Sequence, residues 1–99
     1  MTYQLRMYTI KPGEMDEWVG EWKARIVPLR EKFGFKVVGA WQIPGENKFV
    51  WIIRHDGPQS WEEVDGAYYA SPERKAIQPD PVRHLAATQA WLMQAVVHR

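Results

Sequence analysis

Arg6 and Tyr8 lie two positions apart within Tyr3 to Ile10, a stretch of alternating β-forming residues, so both side chains leave the same face of a strand. A guanidinium beside a phenol can hold a carboxylate or an enolate and position a proton donor. The same pair can equally be structural, with Arg6 meeting an acid under a helix or across a dimer and Tyr8 packing with its hydroxyl satisfied. The histidines at 55, 84 and 98 lack the i, i+4 spacing of helical metal ligands. His55 precedes Asp56 where a strand ends, a place that suits either chemistry or a solvated turn. His84 follows a proline-rich linker and opens the last strand, where it can face the cleft between helices and sheet. There it would serve as a proton shuttle, a haem ligand or simply a polar strand start. His98 stands next to the last residue. Arg6, Tyr8, His84 and His55 form the candidate catalytic set, and no metal set is expected.

Aromatic residues supply a second set. Trp41 and Trp51 fall on strands predicted to pair, so they can be cross-strand neighbours walling an apolar pocket. Core packing accounts for them as well. Of Tyr68 and Tyr69, one must face inward on a helix, and Tyr68 is taken as the ligand-facing member beside Trp41 and Trp51. Trp18 and Trp22, one turn apart, belong to a core stripe.

These side chains need elements to hold them. The β-rich segment ends at Pro12-Gly13. From Glu14 the period changes: Met15, Trp18, Val19, Trp22, Ile26, Leu29 and Phe33 form one apolar stripe of a helix. Acids at 14, 16 and 17 and bases at 30 and 32 complement its dipole, and Gly34 stops it. Pro28 cannot donate to the carbonyl of Ala24, which predicts a kink or break near residues 25–28. Strands follow over Phe35 to Ile43 and Lys48 to His55, joined by Pro44-Gly45-Glu46-Asn47 as a hairpin turn. Ser60 and Glu63 form a capping box for a helix to about Ala70, and Ser71-Pro72-Glu73 starts a short further turn. The closing segment, about Leu85 to Val97, suits helix or strand by period; topology favours a strand.

The order β-α-β-β-α-β defines an α+β, ferredoxin-like domain over residues 1–99: a four-stranded antiparallel sheet with two helices on one face. Alternation sorts Leu5, Met7, Phe35, Val37, Trp41, Phe49, Trp51 and Ile53 to one side. Tyr8, Ile10, Val38, Ala40, Val50 and Ile52 fall on the other, with Arg6, Lys36 and Arg54. Both faces carry apolar surface and helices cover only one, so a second copy packing sheet against sheet is expected.

Composition narrows the function. Thirteen basic against twelve acidic residues leave a net charge of +1, with no broad footprint for nucleic acid or an anionic membrane. The chain has no cysteine, which removes thiol chemistry and fits a reducing, cytoplasmic setting. The N-terminus shows no signal-peptide pattern, and no apolar run approaches the ~20 residues of a membrane helix. Phosphate loops, dinucleotide fingerprints and nucleophile elbows are missing, and no cofactor is expected. Six tryptophans among 99 residues are the anomaly.

Several blocks together resemble the NIPSNAP family: Tyr3-Gln4-Leu5-Arg6-Met7-Tyr8-Thr9-Ile10-Lys11-Pro12-Gly13, Ile26-Val27-Pro28-Leu29, Gly34 to Trp41, Phe49-Val50-Trp51, and Ala67 to Lys75. The resemblance spans nearly the whole chain and implies a dimeric α+β barrel, two ferredoxin-like sheets face to face. It transfers no catalytic set. Proteins of that barrel architecture include cofactor-free monooxygenases, haem-degrading enzymes and plain ligand binders.

Two readings of function follow. In one, a homodimer binds a small apolar or aromatic molecule in an aromatic-lined cleft. In the other, a cofactor-free, monooxygenase-like enzyme acts on an aromatic or polyketide-like substrate. Arg6 would then stabilise an anion, Tyr8 or Tyr68 orient it, and His84 or His55 move the proton.

Overall fold

The computed structural model describes residues 1–97; His98 lies outside them. Four strands, β1 (Thr2–Ile10), β2 (Phe35–Ile43), β3 (Lys48–His55) and β4 (Leu85–Met93), form one antiparallel sheet in the order β2-β3-β1-β4. The helices pack on one face, which is the ferredoxin-like arrangement. The last element is a strand, as topology favours, and it is shorter than the segment from Leu85 to Val97. Among the described residues no helix is long and apolar enough to cross a membrane.

The first helix continues through Pro28 without a break. It runs as α1 (Met15–Glu21), a π-helical stretch (Trp22–Ile26) and α2 (Val27–Lys32). The amide of Val27 bonds back to the carbonyl of Trp22, five residues away, so the ladder is widened just before the proline that cannot join it. Gly34, at φ +89, then turns the chain into β2 in a conformation that disfavours other residues.

α3 (Trp61–Ala70) begins at Ser60, whose Oγ accepts from the Glu63 amide at 3.2 Å. The Glu63 carboxylate accepts from the Ser60 hydroxyl, also at 3.2 Å, instead of reaching the Ser60 backbone. Ser71 joins α3 to the short α4 (Pro72–Lys75): its hydroxyl donates to the Tyr68 carbonyl and accepts from the Arg74 amide. A 3-10 turn (Pro81–His84), capped by Asp80, leads into β4.

Register corrects the sorting of faces. Arg6 opposes Trp51, Tyr8 opposes Phe49 and Gln4 opposes Ile53, so these share the helix-covered side. Leu5 and Met7 instead oppose Ile52 and Val50 on the open side. Alternation tells which residues of one strand share a face, but only pairing relates one strand to the next. A second correction concerns the tryptophans. The β2–β3 register shifts between Val37 and Gly39, which places Ala40 opposite Trp51 and Trp41 opposite Val50. Trp51 is buried under the helices, while Trp41 lies half-exposed on the other face. A Cβ on Gly39 would meet the Trp41 indole at 2.6 Å, so glycine there lets the ring lie over the bulged strand.

Under the helices the core is aromatic. Trp22 meets Phe49 and Trp51 with ring centroids 5.0 and 5.4 Å away, and Tyr8 meets Trp18 at 5.5 Å, all edge-to-face. Ile10, Ile26, Phe35 and Ile53 fill the gaps.

Candidate functional site

Arg6 sits mid-strand on β1, and each branch of its guanidinium has a partner. Nε donates to the Tyr8 hydroxyl at 2.6 Å, Nη1 to Gln4 Oε1 at 2.7 Å and Nη2 to the Tyr69 hydroxyl at 2.9 Å. All three acceptors are neutral. Burial opposes the Arg6 charge, but the surrounding phenol oxygens and the nearby Asp65 carboxylate outweigh it and hold the guanidinium protonated.

A second guanidinium approaches from above. Arg30, in the last turn of the first helix, is buried; it lies 3.9 Å from the Tyr68 ring centroid and 4.7 Å from that of Phe35. Nη1 pairs with Asp65 at 2.7 Å, and Nη2 donates to the Tyr69 hydroxyl at 3.2 Å. Tyr69 therefore accepts from Arg6 and Arg30 at once. Arg74 completes the wall, bonded to Asp80 at 3.0 Å.

These residues enclose a cavity of about 260 Å³ between α3, the first helix and β1, with Trp18, Trp51 and Ile26 as its apolar wall. Tyr68 also lines it, and its buried hydroxyl has no hydrogen-bond partner. Burial raises the Tyr68 phenol above the ordinary tyrosine value, with Arg30 and Arg74 pulling it back. Burial likewise raises Tyr8, with Arg6 opposing. Both phenols therefore stay protonated at neutral pH. The site offers planar cations, phenol donors and flat apolar walls, a combination suited to an oxygen-bearing aromatic molecule.

Of the residues proposed from the sequence, the structure brings together Arg6, Tyr8, Trp51 and Tyr68. Trp41 is on the opposite face of the sheet. His55 lies at the far end of β3, about 13 Å along the strand from Trp51 at ~3.3 Å per residue. Its Nδ1 accepts from the Gly57 amide and its ring packs against Phe35. His84 is buried beneath α1: Nδ1 meets Glu14 at 2.7 Å and Nε2 meets Glu21 at 3.0 Å. Hydrogen bonds to Glu21 and Glu14 raise its pKa against the cost of burial. Two carboxylates on two ring nitrogens make both nitrogens donors, so this is an imidazolium in an ion-pair network. Ligand atoms of Glu17, Glu21 and His84 come within 4.8 Å of one another, the spacing of a metal site. Both Glu21 oxygens, however, already accept from Arg83, at 2.7 and 2.9 Å.

Arg30 and Arg74 escape the sequence reading, which takes Tyr68 and not Tyr69 as the ligand-facing tyrosine. Arg30 had a signal: it stands four residues after Ile26 on the apolar stripe, where a solvated arginine has no place. Its charge also suits the helix C-terminus, which masks that signal. Tyr69 and Arg74 carry no such mark, because their place at the cavity depends on how α3 and α4 dock against the rest of the fold.

The fold and cavity define a ferredoxin-like domain with a cationic, aromatic-walled site between helices and sheet. The NIPSNAP family profile matches residues 3–96, and the chain belongs to that family. Among solved structures it is similar to an uncharacterized NIPSNAP domain protein from Burkholderia xenovorans, at 18% identity and TM-score 0.83, covering 96% of this chain and 94% of that one. A NIPSNAP family protein from Agrobacterium tumefaciens gives 12% identity and TM-score 0.82, over 95% and 84% of the two chains. A crystal structure of an antibiotic biosynthesis monooxygenase shares the fold at 17% identity and TM-score 0.69, over 98% and 100%. No curated protein matches the chain.

Proposed function

We propose that the protein binds a small, flat apolar or aromatic molecule in the cavity on the helix side of β1, with its polar end at Arg6. The observation that carries this is one cavity lined by Trp18 and Trp51 together with the Arg6 guanidinium. The test is an NMR titration with naphthalene-sized aromatic compounds, following the indole N–H signals. Shifts at Trp18 and Trp51, with Trp41 unmoved, are expected. Shifts confined to Trp41 and Trp91 would place binding on the open face and refute this reading.

The protein works as a homodimer joined through that open face. Leu5, Met7, Val50 and Ile52 are only half-buried there, and Trp41 and Trp91 remain about half-exposed. Sedimentation at the monomer mass would overturn the dimer.

A cofactor-free oxygenase is the second reading, favoured by the 2.6 Å contact of Arg6 with Tyr8 and by the fold shared with a monooxygenase structure. Arg6 would stabilise a substrate carbanion that then reacts with dioxygen. Neither His55 nor His84 lines the cavity, so a proton would have to leave by another route. Oxygen uptake with an enolisable aromatic ketone, lost in Arg6→Gln, would establish catalysis; its absence leaves binding alone.

A further inference from the structure

Among the described residues, the cavity wall carries one positive charge more than the carboxylates bonded to it. Arg30 pairs with Asp65 and Arg74 with Asp80, but Arg6 bonds only to Gln4, Tyr8 and Tyr69. The Arg6 guanidinium is partly drawn out of bulk water and every group it hydrogen-bonds is neutral, so no directly bonded carboxylate matches its charge. Other donors lack partners altogether. Nε of Arg30, Nε of Arg74 and the Tyr68 hydroxyl are buried without a hydrogen bond, and all three residues line the cavity. Arginine nitrogens only donate, so what complements this wall is an acceptor, and the surplus charge makes it an anionic one.

Tyr69 marks the position. Its oxygen receives Nη2 of Arg6 at 2.9 Å and Nη2 of Arg30 at 3.2 Å, the point where two cations converge. The residue is 42% exposed and so has room to swing outward from the cavity mouth. A carboxylate is planar and fits a guanidinium fork edge to edge. A single negative charge balances the wall, whereas a phosphate dianion would overshoot it inside an apolar pocket.

We propose that the cavity ligand is an aromatic monocarboxylate, one oxygen of which takes the acceptor place between Arg6 and Arg30 that the Tyr69 hydroxyl holds here. This rests on the binding reading above and specifies its ligand class. The aromatic body lies against Trp18 and Trp51. Tyr69 is then a placeholder that the ligand displaces, and Tyr68 is a further donor to the anion.

The test pairs 1-naphthoate with 1-naphthamide, titrated into the intact protein and followed at the Trp18 and Trp51 indole signals. The acid is expected to bind about ten-fold more tightly than the amide, because charge-assisted bonds are the stronger kind. Arg6→Gln should bring the two within about two-fold of each other. Tyr69→Phe, at an exposed residue, keeps the test decisive should the Arg6 variant fail to fold. It removes the competing oxygen and should tighten the acid several-fold, and the amide, a weaker acceptor, by less. Equal binding of acid and amide by the wild type overturns the carboxylate assignment and leaves the binding reading standing. No response to either compound overturns both. Weaker acid binding in Tyr69→Phe overturns the place assigned to the anion.

Discussion

Three cations under the helices, His84 and Arg30 buried and Arg6 partly so, differ chiefly in what surrounds them. His84 is held by Glu14 and Glu21, with Glu17 3.9 Å away. Arg30 has one carboxylate, Asp65, and the ring faces of Tyr68 and Phe35. Among the described residues Arg6 has no carboxylate in hydrogen-bond contact, only phenols and an amide. A charge whose partners neutralise it locally ties elements together: His84 fastens the 3-10 turn to α1. A charge left with neutral partners adds little to the fold, and it is available to a ligand.

That gradient can be broken by substitution. Arg30→Met should destabilise most, by about 3 kcal/mol, because it strands the Asp65 carboxylate and removes a stacked cation from the core. Urea denaturation measures it, and a loss below about 1 kcal/mol would place Arg30 with Arg6. His84→Gln should cost about 2 kcal/mol through lost charge-assisted bonds; the network's partly exposed carboxylates stay hydrated, which limits the damage. Arg6→Met should change stability by less than about 1 kcal/mol, since Arg6 is only partly buried and is directly bonded to no carboxylate. A loss as large as that of Arg30→Met would erase the distinction between fastening and ligand-facing cations.

A smaller effect is expected with pH. The folded-state pKa of His84 is raised, first by its bond to Glu21, so its stabilisation is complete below the unfolded value of about 6.5. It is lost as pH rises through the folded value. Glu21 behaves oppositely: Arg83 lowers its pKa, so that contribution holds above the unfolded carboxylate value and fades in acid. Denaturation midpoints across neutral to alkaline pH should fall in the wild type and stay flat in His84→Gln. A slope retained in that variant would show that another group titrates.

Much of the scaffold was legible along the chain. The stripe from Met15 to Phe33, the Ser60 cap and the hairpin turn at Pro44-Gly45 all act over a few residues, so local pattern located their elements. Pro28 was legible as a disturbance, though its form was not: a proline removes one hydrogen bond, and the π stretch before it absorbed that loss within a continuing helix. Arg6, Tyr8, Trp51 and Tyr68 were nominated from residue type and position, and they do meet at one cavity. Trp41 was nominated on the same grounds and lies on the other face, because one bulged residue at the Val37–Gly39 step inverts every side chain after it. His84 shows the same limit: its carboxylate partners are 63 to 70 positions away.

The sequence by itself determined the order of the elements and the type of all but the last, since helix and strand periods, caps and turn residues are short-range properties; the closing segment suited either period and was a strand only by topology. It also determined that both faces of the sheet would be apolar. Only the tertiary structure decided which charges are neutralised. Register across β1 and β3, the shift in β2 and the docking of α3 over Arg6 are long-range choices. The energy of a buried charge depends on atoms within a few ångströms, whatever their distance along the chain. For that reason Arg30 and His84 became ion-paired fasteners, and Arg6 faces a cavity with one charge unmatched.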